Sequence, residues 1–241
     1  MRRTFLSLLL GFPLLCQAAP LALRMCVFDH PFPPMTLPDG TGQAQELLRR
    51  ASALQPAVRI QSVVKPRHQC MEQLRSGAVD AMLAAFIEER TEYGAYPMKD
   101  SQADASRAVG DLNFMVSRRH GGKIDWDGRQ FVDLGRQPVG TQPGFLHVAL
   151  LRQLNVVIDD SADSPEQAFA MLAQNRVAAV VTQQGEGEAL IARKYKNEID
   201  MLPRPFQVTP LYLLVNKAFY QKHQAQIDAY WDAIRQARGG K

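Results

Sequence analysis

Apolar positions along this chain fall into two rhythms that alternate in order. Leu21–Phe28 (LALRMCVF) and residues 58–64 (VRIQSVV) read as strands, and residues 79–86 (VDAMLAAF) form an almost unbroken apolar run, as a fully buried strand would. Between them Gln43–Leu54 sets Leu47, Leu48 and Ala51 on one helical face, and residues 68–75 are again helical. Pro31, Pro33 and Pro34 exclude helix from the segment after the first strand, and Asp39-Gly40 with Gly42 marks a turn. Strand, helix, strand, helix, strand in this rhythm predicts a parallel α/β sheet.

The segment 72–98 is the most informative stretch. A helix breaks at Ser76-Gly77, the buried strand follows, and Glu88-Glu89-Arg90 reads as the first turn of a further helix. A cation at a helix start is opposed by the macrodipole, so an anion held at this strand-to-helix junction would explain Arg90. The chain then restarts. Residues 112–117 predict a strand, and Gln137-Pro138-Val139-Gly140 leads a strand into Gln142-Pro143-Gly144. Residues 145–154 predict a helix and residues 156–158 a weak strand. Ser164 with Pro165 opens another helix, and residues 177–182 form a second buried strand. Residues 71–86 and 169–182 thus repeat one pattern of helix, polar break and buried strand. A last strand at 211–215 and one long helix at 218–238 complete two similar α/β lobes with a cleft between them.

The amino terminus changes the reading of charge. Arg2 and Arg3, the apolar run 5–15 and Cys16-Gln17-Ala18 predict a signal peptide at residues 1–18, cleaved after Ala18. A lipoprotein anchored at Cys16 is the alternative, disfavoured by Pro13-Leu14-Leu15 before it. No other run approaches membrane-spanning length. Without the two leader arginines, the 28 basic residues fall to 26 against 24 acidic ones, a net charge of about +2. That balance, with no basic stripe, excludes a nucleic-acid partner. Of the 3 cysteines only Cys26 and Cys70 then remain, in an oxidising compartment, so they form a disulfide or stay as two buried thiols. No cluster has metal-ligand spacing, and no motif calls for a cofactor.

Three stretches carry a family resemblance: LRSGAVDAMLAAFIEER with YGAYPM at 74–98, NRVAAVV at 175–181, and TPLYLLVNKAFYQKH at 209–223. They resemble the bacterial extracellular solute-binding proteins of family 3, which include periplasmic amino-acid-binding proteins of ABC importers. Gly77, Val79-Asp80-Ala81 and Glu89-Arg90 match the family pattern, whereas Ile87-Glu88 stand where it has Thr-Pro. The resemblance implies an α/β, two-lobe periplasmic-binding-protein fold, each lobe a mostly parallel sheet flanked by helices, with two hinge crossovers. Lobe 1 would be 19–112 with 208–241, and lobe 2 would be 113–207. It implies a periplasmic monomer that captures a small molecule for an ABC importer permease or a membrane sensor, and is neither an enzyme nor membrane-embedded.

By the same resemblance Arg90 holds a ligand carboxylate, and Phe32 stacks on the ligand. Asp29 meets a cationic group or caps its loop, and Ala85 and Phe86 follow the first buried strand. In the second lobe Phe145 follows Gly144 where the family has Gly-Thr, and Gln183 and Gln184 stand where an acid usually pairs the ammonium. A small, amino-acid-like carboxylate other than a standard α-amino acid, or an aromatic or amide-bearing metabolite, is therefore expected. A dehydratase-like enzyme would need Glu186 or Glu188, which read as lying in a Gly-rich loop, while His30 and His147 lack triad spacing. A module without small-ligand function would have its cleft filled by Phe86 and Phe145.

Overall fold

The computed structural model describes residues 19–29, 31–143 and 146–239, so the signal-peptide reading at 1–18 lies outside it. Strand β1 (Leu21–Phe28) pairs in parallel with β2 (Val58–Lys65), from Leu21 opposite Val58 to Phe28 opposite Lys65. On its other side β1 pairs with β3 (Ala81–Ala85). Helices α1 (Gln43–Leu54) and α2 (Arg67–Ser76) make the crossovers. The next long strand, β4 (Gly110–Arg119), leads into β5 (Val139–Gly140), α3 (Leu146–Gln153) and β6 (Ile158–Asp159). Then come α4 (Pro165–Ala173), β7 (Ala179–Gln183) and α5 (Gln184–Leu190). The 18-residue strand β8 (Ile199–Asn216), α6 (Lys217–Lys222) and α7 (Gln224–Gly239) end the chain.

These eight strands lie in one nine-stranded sheet, ordered β6-β5-β7-β4-β8-β3-β1-β2, with the short strand Gly94–Ala95 paired to β8 beside them. Strands β2-β1-β3 and β6-β5-β7 are the two parallel halves. β4 and β8 join them as an antiparallel pair: β8 meets β4 from Ile199 to Leu211 and β3 from Leu211 to Val215. The chain therefore crosses twice between the halves, through adjacent strands.

Local chemistry accounts for the boundaries. α2 stops at Gly77, whose φ of +78° is the left-handed cap geometry open to glycine. α4 starts where Ser164 accepts from the Gln167 N–H at 3.2 Å, with Pro165 in the first turn. β3 is shorter than the apolar run 79–86 because Asp80 is used otherwise. Its carboxylate, nearly buried, accepts from the Arg24 N–H, Nε and Nη2 at 2.9, 2.9 and 2.6 Å. The acid of the Val-Asp-Ala motif is thus a structural clamp between β1 and β3. Asp80→Ala should cost roughly 2–3 kcal/mol in urea unfolding, since it strips three charge-assisted bonds and strands the Arg24 amide; an unchanged midpoint would show the clamp contributes nothing.

Alternation along β1 separates two cores. Leu23, Met25 and Val27 pack with Leu47 and Leu48 of α1 and with Ile227, Tyr230 and Trp231 of α7. Cys26 faces α2, beside Cys70, Leu74 and Met82. Cys26 and Cys70 are bonded, with Cα atoms 5.6 Å apart. The second half has its own core around Phe169, Leu172, Val180 and Tyr195.

Two predicted helices differ. The carboxy-terminal one is broken at His223, whose φ of −130° separates α6 from α7. Glu88–Glu92 is a five-residue 3-10 turn, not an α-helix, because the chain folds straight back to pair Gly94–Ala95 with β8. The macrodipole argument for Arg90 therefore falls away. Conversely, the presumed Gly-rich loop holding Glu186 and Glu188 is helix α5.

Candidate functional site

A cavity of about 520 Å³ lies between the two halves of the sheet. Its floor is the crossover itself, Leu112 and Phe114 of β4 with Thr209 and Leu211 of β8. Phe28, Phe32, Met71 and Ala85 to one side, and Gln142, Ser164 and Glu186 to the other, complete the walls. Two larger depressions, about 910 and 870 Å³, are each confined to one half. The smaller cavity is the better candidate because both halves build it, so a bound molecule would couple them.

Arg90 is the cation of this cavity. It is half-buried, and its Nη1 donates to the Ala85 carbonyl at 2.9 Å. Tyr96 donates to the same carbonyl at 2.8 Å, and burial pushes its phenol up despite the opposing pull of Arg90. Among the described residues Arg90 makes no ion pair, although Glu88, Glu89 and Glu92 are its neighbours in sequence. A guanidinium offers five donors in a planar fork, and this one lines the cavity with Nη1 on the Ala85 carbonyl and the Tyr96 phenol beside it.

The remaining residues singled out in the sequence divide. Phe32 lines the cavity, edge-on to Phe28 with centroids 6.2 Å apart. Phe86 does not line it: it packs against Tyr96 at 5.1 Å and borders the outer groove of the first half. A strand turns successive side chains to opposite faces, and Ala85 takes the inward position. Asp29 is exposed, its N–H bonded to the Lys65 carbonyl, and it is not part of the cavity wall. Phe145 and His30 lie outside the described residues.

Gln183 and Gln184 are also placed otherwise than expected. Gln183 is buried and donates to the Pro33 carbonyl at 2.7 Å, while its Oε1 accepts from the Glu186 N–H at 2.9 Å. Gln184 points to the outer face, accepting from Asn113 at 2.8 Å and donating to Glu188 at 2.7 Å. Glu188 is thereby engaged outside the cavity, whereas Glu186 lines it, as does Asp163. Two carboxylates, Asp163 and Glu186, thus border the far wall, away from Gln183 and Gln184.

His147 is not a cleft base. It is 1% exposed, 2.6 Å from the Thr141 hydroxyl and ring-packed on Phe114 at 4.4 Å. Burial pushes its imidazole down to about 4, so it is neutral at neutral pH. Met71, Asp163 and Ser164 were not foreseen as wall residues. Met71 follows Cys70 on α2, and Ser164 carries the cap signal of α4, which places that helix's first turn at the cavity.

No protein-family model matches the chain, and no curated protein is similar to it in sequence. Solved structures do resemble it. The probable amino-acid ABC transporter extracellular-binding protein ytmK of Bacillus subtilis aligns over 90% of this chain and 91% of its own, with a TM-score of 0.72 at 13% identity. The periplasmic VFT2 domain of Bordetella pertussis BvgS aligns over 90% and 91%, with a TM-score of 0.63 at 17% identity. The GluR0 ligand-binding core of Nostoc punctiforme, in complex with L-glutamate, aligns over 90% and 96%, with a TM-score of 0.56 at 17% identity. At these identities the likeness shows the fold, and the fold is the two-lobe α/β architecture of such extracellular binding domains.

Proposed function

We propose that this chain is a periplasmic solute-binding protein, exported by residues 1–18, that closes two lobes, 19–112 with 208–241 and 113–207, on a small carboxylate. One observation supports this most: the Arg90 guanidinium, held by the Ala85 carbonyl at the cavity wall, has no carboxylate partner among the described residues. The apolar wall around Phe28, Phe32 and Met71 suits a ligand with an aliphatic or aromatic body. Asp163 places a carboxylate on the far wall, so an amino-acid-like ligand with a cationic group is compatible with it. The molecule is then delivered to an importer permease or read by a membrane sensor. No helix among the described residues is long and apolar enough to cross a membrane, which leaves that step to a partner.

The test is a thermal-shift panel of carboxylic acids, amino acids and their amides. A hit at 100 times its dissociation constant should stabilise by about 2.7 kcal/mol. Arg90→Ala should weaken the best hit roughly 10- to 100-fold, the worth of a charge-assisted contact. Equal affinity in the variant would refute the carboxylate role.

A further inference from the structure

We infer that Gln183 is an interlobe latch: a positioning residue that favours the closed cleft through the chain's own atoms, before any ligand contributes. This inference rests on the two-lobe receptor reading and adds a closing force to it. Gln183 ends β7 in the second lobe, yet its Nε2 donates at 2.7 Å to the carbonyl of Pro33, in the proline segment of the first lobe. Gln183 itself is 2% exposed and Pro33 half-buried, so the donor end of the bond is shielded from water, where a hydrogen bond is harder to replace.

Both ends of the bond are stiff. On the first-lobe side the proline segment is tied down by the Phe32 N–H to Thr36 carbonyl bond at 2.8 Å. The Pro34 and Met35 carbonyls receive the Gln43 and Ala44 N–H groups at the start of α1. On the second-lobe side Gln183 Oε1 accepts from the Glu186 N–H, so the amide cannot rotate without uncapping α5. The same side chain thus fixes the turn bearing Phe32 and the turn bearing Glu186, one on each wall of the cavity.

Gly185 adds a second, steric observation. A Cβ there would come within 2.6 Å of the Pro33 carbonyl oxygen and 2.9 Å of its carbon. Only a residue without a side chain lets α5 sit this close to the proline segment. Hydrogen bond and bare backbone contact together make an interlobe seam of the chain's own atoms adjoining the ligand cavity.

Two variants separate latching from folding. Gln183→Glu keeps an oxygen to cap the Glu186 N–H but turns a carboxylate toward the Pro33 carbonyl, replacing attraction by repulsion. Gly185→Ala favours helix α5 by propensity while wedging the seam apart. Spin labels at Gln61→Cys on β2 and Gln153→Cys on α3, both exposed positions in different lobes, report the interlobe distance by double electron–electron resonance on ligand-free protein. The parent should show a dominant closed distance. Gln183→Glu should raise the open-to-closed ratio roughly 2- to 10-fold, the range expected for one lost hydrogen bond. Gly185→Ala should populate the open state at least as much, with unchanged circular dichroism in both. A parent that is already open, or variants whose distances superimpose on a closed parent, would overturn the latch. The measurement uses no ligand, so its failure is distinguishable from failure of the Arg90 assay.

Discussion

Replacing Cys26 and Cys70 together by alanine should lower the unfolding free energy by about 4 kcal/mol, the chain-entropy value for a loop of this length. The two are 44 residues apart, and both are buried between β1 and α2. For a chain of this size the loss corresponds to a fall in melting temperature on the order of 10 °C. Urea unfolding of the double variant beside the parent reads it directly, and a midpoint within error of the parent's would refute it. The effect reaches the cavity as well. Phe28 lies two residues beyond Cys26, and Met71 directly follows Cys70; both line the wall that carries Arg90. Without the bond α2 can shift on β1, so ligand affinity should fall in the double variant even at temperatures where it remains folded.

Acidification should destabilise the protein through His147 by roughly 3 kcal/mol between pH 6.5 and 4. In the folded chain burial holds this imidazole down to about 4, whereas in the unfolded chain it titrates near its ordinary value of about 6.5. Between those limits the unfolded state binds more protons, so stability rises with pH; its contribution is complete above about 6.5 and lost as pH falls toward 4. Carboxylates held below their usual range, Asp104 by Ser106 and Asp200 by His120, give way only at lower pH, which keeps the windows apart. His147→Gln retains a polar group toward Thr141 and cannot titrate. Its stability should be flat across this window, and a curve that still parallels the parent's would assign the pH dependence elsewhere.

The order of strands and helices was legible because short apolar runs at β1, β2 and β3 alternate with the one-sided apolar face of α1 and the glycine-stopped α2. What was not legible depended on direction. Gln183 and Gln184 are neighbours in sequence, yet one enters the interlobe seam and the other the outer face, and no local pattern says which. Ala85 and Phe86 divide in the same way. The break at His223 escaped because residues 218–238 contain neither proline nor an interior glycine; Asn216 caps a short α6 that ends on its own. Arg90 was found as a cation needing a reason, though the reason first offered, a helix end, is absent. Glu186, three residues past β7, was legible only as a candidate acid of an enzyme, and Asp163, two residues before α4, carries no motif that marks it.

The long strand β8 also constrains the order in which the molecule can assemble. Residues 211–215 are the neighbours of β3, so the first lobe's sheet stays incomplete until the last thirty or so residues are made. Tyr230 and Trp231, which close its core, arrive later still. The segment 113–207 has its own core and could collapse early, but its β4 edge waits for residues 199–209. The newborn chain therefore cannot finish the first lobe from the front, and one shared strand completes the sheets of both lobes in turn.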